Sequence, residues 1–74
     1  MKTHRLDIRP IVARGEEPLA AIMALIVKLA PADELVIVSP FLPAPLIERM
    51  QSAGYEVHPE LQGDGSWSTR FRKP

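Results

Sequence analysis

The 74-residue chain has no cysteine. That removes disulfides, thiol catalysis, persulfide transfer and thiolate metal sites in one step, and it fits a reducing compartment. There is no net charge either, because nine basic residues balance nine acidic ones. A balanced chain has no electrostatic bias toward nucleic acid or an anionic membrane. The longest apolar run, Leu19 to Val27, is far shorter than the roughly 20 residues a membrane helix needs. The start, Met1-Lys2-Thr3-His4-Arg5, shows no apolar leader, so a cytoplasmic protein is expected. Only two histidines occur, His4 and His58, far apart in sequence. A metal site built from them with Glu56 or Glu60 falls short of the usual ligand set. No Ser-His-Asp arrangement, phosphate loop or nucleotide fingerprint is present. The expectation is therefore a protein with no catalytic residues, no cofactor and no metal.

What is there is enough apolar material for one small domain over residues 1–74: 46% of residues are hydrophobic and 24% charged. Leu6-Asp7-Ile8-Arg9 alternates and stops at Pro10, a short first strand with Leu6 and Ile8 inward. Gly15 reads as the N-cap of a first helix, with Glu16 and Glu17 in its first turn, where the helix dipole favours carboxylates, and Pro18 tolerated there. The helix runs to Ala30 and ends at Pro31, with Leu19, Ile22, Met23, Ile26 and Leu29 as its buried stripe. Leu35-Val36-Ile37-Val38 is an unbroken apolar run, the mark of a central strand buried on both faces. A second helix spans about Pro43 or Ala44 to Ala53, stopped by Gly54. Tyr55 to Leu61 alternates as a strand in which Pro59 demands a bulge or an unpaired edge. Gln62-Gly63-Asp64-Gly65 is a hairpin turn, and Ser66 to Arg72 the last strand, with Trp67, Thr69 and Phe71 inward. The order β-α-β-α-β-β predicts an α+β two-layer sandwich, a four-stranded mixed sheet with both helices on one face.

One helix face stands out. Beside the stripe, the first helix offers Ala21, Ala24, Leu25 and Lys28, so Lys28 is its only charge. A surface helix normally has a polar outer face. Alanines are ordinary surface helix formers, but Leu25 is not so explained. Phe41 and Leu42, in the proline-rich loop Ser39 to Pro45, either fold back as a hydrophobic staple or extend this patch. Ala21, Ala24, Leu25, Lys28, Phe41 and Leu42 are thus the candidate contact surface for a protein partner or a second copy of the chain.

Four stretches together resemble the TusA-like (SirA-like) sulfur-carrier superfamily: Leu6-Asp7-Ile8-Arg9, Gly15-Glu16-Glu17-Pro18, Leu29-Ala30-Pro31 with its acidic turn, and the hairpin with Trp67 to Arg72. Pro43-Ala44-Pro45-Leu46 makes the chain most similar to an uncharacterised branch often linked to hemerythrin-like domains. The resemblance implies a β-α-β-α-β-β two-layer fold. It also implies a loss. Gly15 stands where the carriers hold their sulfur-bearing cysteine, and Glu16 where a proline follows it. Two histidines of the hemerythrin-linked relatives correspond to Leu19 and Phe41. Gly15, Glu16, Glu17 and Pro18 therefore form a vestigial carrier motif.

The function expected from the sequence is a non-enzymatic protein-interaction module. An accessory role in sulfur relay or redox and nitrogen-oxide metabolism, with a partner supplying the reactive group, is the alternative. RNA binding on the open sheet face, through Arg70 and Arg72, is a third reading. It is disfavoured because the aromatics of the last strand alternate with the arginines instead of sharing their face.

Overall fold

The computed structural model describes residues 2–74. Four strands, β1 (Thr3–Asp7), β2 (Glu34–Ser39), β3 (Glu56–Leu61) and β4 (Trp67–Arg72), form one sheet in the order β1-β2-β4-β3. β1 pairs parallel with β2, and β4 pairs antiparallel with both β2 and β3, so the sheet is mixed. Three helices complete the chain: α1 (Arg9–Ala13), α2 (Leu19–Ile26) and α3 (Ala44–Ser52). Leu35 and Ile37 of β2 and Phe71 of β4 share one sheet face and are fully buried. Ile22 of α2 and Met50 of α3 close over them, with Ile8 and Leu29 at the margins. Ile11 and Val12 of α1 pack against the same core. This is the α+β two-layer sandwich predicted from the pattern, with one helix more.

That extra helix corrects the reading of residues 9–15. Pro10 does not end a strand; it occupies the first turn of α1, where a missing N–H costs nothing. Gly15 is not the N-cap of the next helix either. It sits at φ +74°, with its N–H on the Val12 carbonyl (2.9 Å), while the Glu16 N–H reaches the Ile11 carbonyl (3.1 Å). This pair of bonds is a Schellman closure of α1, and the left-handed backbone is why glycine is there. Glu16 and Glu17 consequently precede α2 instead of lying in its first turn. The same closure ends α3, where Gly54 (φ +91°) and Tyr55 donate to Gln51 and Met50.

α2 is also shorter than its periodicity predicts. It stops at Ile26, and the N–H groups of Lys28 and Leu29 turn back three residues to Leu25 and Ile26. Leu19, expected inside, is 38% exposed, while Leu25, expected outside, is half-buried against the core. β2 is fully buried on its helix side, but Val36 on the other side is only half-buried. Pro59 sits in a regular register opposite Thr69, and it is tolerated because β3 is an edge strand.

Asp33 governs the end of the sheet where β2 begins. It is 4% exposed, and its carboxylate accepts the N–H of Lys2 (2.9 Å) and of Ala30 (3.0 Å). Lys73 adds two ties: its N–H reaches the Asp33 carbonyl (3.0 Å) and its ammonium the Leu29 carbonyl (2.8 Å). The two backbone N–H bonds hold the Asp33 carboxyl below the usual carboxylate range.

Candidate functional site

The opposite end of the sheet is where β1 and β2 both finish, the place where open α/β sheets keep their sites. Three local arrangements shape it. Ser39 is buried at the last position of β2, and its hydroxyl donates to the Phe41 carbonyl at 2.7 Å. That bond pins the loop so that Pro43 turns inward while Phe41 and Leu42 remain 48% and 41% exposed. Neither side chain is buried as a hydrophobic staple would be.

On the other side, the α1–α2 connection delivers Glu17 and Pro18 to the start of α2. The Glu17 carboxylate accepts the Leu19 N–H (3.3 Å), so it satisfies one of the free donors of the helix start. Glu16 instead pairs with Arg14, Nη2 to Oε1, at 2.9 Å. The two glutamates thus have separate duties and no shared proton or ligand.

Between these walls lies a cleft of about 290 Å³. Buried Ile8 and Ile22 form its base, Pro18 and Leu19 one wall, and Phe41, Pro43, Pro45 and Leu46 the other. Glu17 and Arg49 are its charged members. Arg49 follows Pro45 by four residues, which places both on one face of α3. Neither Glu17 nor Arg49 has an ion-pair partner within 4.0 Å among the described residues. A groove with apolar walls and one charge of each sign suits binding; it holds no nucleophile and no general base beyond Glu17.

The groove contains part of each predicted set. Phe41 lines it and Leu42, its neighbour in sequence, does not; Glu17 and Pro18 line it, while Gly15 and Glu16 do not. Ala24 and Lys28 are exposed elsewhere on α2 and its end, and Ala21 is half-buried. Arg49 is not among the residues the sequence singles out, and Leu19, Pro45 and Leu46 figure there for the core or the family resemblance and not for the contact surface. The spacing Pro45/Arg49 is the available signal, since residues four apart on a helix share a face.

The Leu6-Asp7-Ile8-Arg9 stretch proves to be a clasp. Asp7 accepts the backbone N–H of Arg9 (3.0 Å), its Nε (2.9 Å) and its Nη2 (2.7 Å). The Arg9 hydrogen bond holds the Asp7 carboxyl at about 2. Arg9 Nη1 also reaches Asp64 in the β3–β4 turn at 3.5 Å, and Asp64 in turn accepts the N–H and hydroxyl of Ser66. The Ser66 bonds lower the Asp64 carboxyl as well. These residues fasten the hairpin turn to the end of β1.

On the open sheet face, the register sets Glu56 opposite Arg72 and His58 opposite Arg70. Arg70 lies 3.6 Å from Glu34. His4 and His58 stand on opposite edge strands and opposite faces, so the structure does not bring them together. Among the described residues, no three His, Cys, Asp or Glu side chains gather as metal ligands, and no helix is long and apolar enough to cross a membrane.

Comparison with known proteins adds one match. A family model described as an uncharacterised conserved protein (DUF2249) covers residues 5–73. No curated protein and no solved structure matches the chain.

Proposed function

The chain belongs to the uncharacterised conserved protein family DUF2249, and on that footing we propose that it is a non-enzymatic protein-interaction module, a TusA-like scaffold without the carrier cysteine, working in the cytoplasm. The observation that carries this reading is the distribution of exposed apolar bulk. Of five large apolar side chains exposed among the described residues, Leu19 and Phe41 line one apolar groove, and exposed Leu42 follows Phe41 directly in sequence. Scattered surface leucines need no explanation, whereas a cluster around a concave site marks a contact surface. Ala24 and Lys28 are exposed on α2 and just beyond its end, outside the groove lining, and Ala21 and Leu25 are half-buried, so the groove carries the reading and the α2 face does not.

The accessory sulfur-relay or redox reading has one observation in its favour: Glu17 and Pro18, where the resemblance puts the carrier motif, line the same groove. In that case a partner supplies the reactive group, and a persulfide donor labels only the partner.

The test is association compared between the native chain and Leu42→Asp, by cross-linking in the source cell and in purified form. The expected result is a specific complex, with itself or another protein, that Leu42→Asp abolishes while the thermal melt is unchanged. A complex that forms equally well with Leu42→Asp overturns the assignment of this surface.

A further inference from the structure

We propose that the occupant of the groove is a second copy of this chain, seated across a two-fold axis; this rests on the interaction reading above and names its partner. The patch is self-complementary in charge and in shape. A two-fold contact uses the same patch twice, so each feature must find its complement within that patch.

The groove carries one acid and one base, Glu17 at the start of α2 and Arg49 on α3. They do not pair with each other within 4.0 Å, and no other described residue neutralises either of them. A two-fold axis through the groove brings Glu17 of each copy to Arg49 of the other. Two ion pairs form, both at the rim of an apolar contact, where charge sets register and orientation. A partner of one dominant charge would satisfy one side chain and leave the other facing its like.

The same holds for shape. The patch holds a depression, the cleft of about 290 Å³, and one of its walls, Phe41, is itself a half-exposed apolar ridge at 48%, with Leu42, 41% exposed, next to it in sequence. A cavity and an apolar knob side by side are the two halves of an isologous fit. The knob of each copy enters the cleft of the other, and Ser39 holds the ridge outward through its bond to the Phe41 carbonyl. A standard interface takes about 800 Å² from each partner. That is roughly a sixth of the 4568 Å² the chain exposes, so the contact must reach beyond the groove onto the surfaces beside it.

The test uses the full purified chain and sedimentation over a wide concentration range. The native chain is expected to dimerise. Glu17→Arg and Arg49→Glu should each weaken the dimer by about tenfold or more, since each converts two attractive pairs into two repulsive ones. Mixing the two variants should restore a one-to-one heterodimer of near-native affinity. In that heterodimer the reversed charge of one variant meets the reversed charge of the other, and the native Glu17–Arg49 pair is kept on the opposite side of the axis. The double variant in one chain should likewise dimerise. Restoration by mixing is a symmetry test that a merely structural role for either residue does not pass. A native chain that stays monomeric overturns the proposal, as does a dimer indifferent to both charge reversals. If that monomer still binds another protein through Leu42, the interaction reading survives and only the second-copy inference falls; if it binds nothing, both fall.

Discussion

At the Glu34 end of β2, one buried carboxylate ties three chain segments together, and Lys73 seals the corner from the fourth strand. At the Ser39 end, the chain leaves an apolar cleft open and directs Phe41 and Leu42 to solvent, although two buried hydrophobic residues lie directly beneath. The first end spends its polar groups on its own backbone. The second leaves a charge of each sign unpaired. The contrast separates what the fold needs from what it does not, and the end the fold does not need is where a partner has something to bind.

The sharpest way to break this contrast is to truncate a core residue at the tied end and a ridge residue at the open end. Leu29→Ala should cost about 2–5 kcal/mol in urea unfolding, the range for emptying a buried leucine site. Phe41→Ser should change stability by no more than about 0.5 kcal/mol, as surface substitutions do, while weakening association. If Phe41→Ser destabilises as much as Leu29→Ala, the groove is core and the functional reading fails.

Asp33→Asn comes next in size. The amide keeps one acceptor oxygen where two N–H groups need one each, so one buried donor is orphaned. Its pH dependence sharpens the point. Asp33, Asp7 and Asp64 all have folded carboxyl values below the ordinary 3.8. Each contributes stability that is complete above that value and is lost as the pH falls through the lowered one, about 2 for Asp7. The native chain should therefore lose stability mainly between about pH 4 and pH 2. Circular dichroism across that window should show a shallower fall for Asp33→Asn, which has one carboxylate fewer to protonate.

Thr69→Val is the smallest effect and has the opposite sign. Thr69 is fully buried on the helix side of the sheet, and its hydroxyl has no hydrogen-bond partner among the described residues. Replacing the hydroxyl with a methyl of similar size removes an unsatisfied group and should stabilise the fold by about 1 kcal/mol, read as a higher melting temperature.

Legibility in the sequence follows the range of the signal. β2, the β3–β4 hairpin and α3 announce themselves within ten residues, through alternation, an apolar run, or a proline start and a glycine stop. α1 does not, because five residues are too few for periodicity, and Pro10 signals a strand's end and a helix's first turn equally well. Once α1 is missed, Gly15 is assigned to the wrong helix. Leu25 illustrates another limit: it lies within α2, and which side of that helix meets the core is set by how α2 docks on the sheet, which spacing along the chain does not carry. The groove is the least legible of all. Its walls come from residues 17–22 and 41–49, and nothing local tells Glu17 that Arg49 will share its cleft.

The strand order has a consequence for how the molecule is made. β4 is the last of the four strands to leave the ribosome, yet it is the one that joins β2 to β3 and carries Phe71 into the core. Until residues 67–72 have emerged, β2 has only β1 beside it, and β3 has no neighbour in the sheet at all. The nascent chain must hold an apolar half-sheet open toward the helices while it waits. Its assembly therefore depends on contacts of long sequence separation, Thr69 against Ile37 and Phe71 against Leu35, which makes closure slow relative to helix formation. A chain cut short anywhere in β4 loses the middle of its sheet, and what remains is an unpaired apolar edge for chaperones and proteases to find.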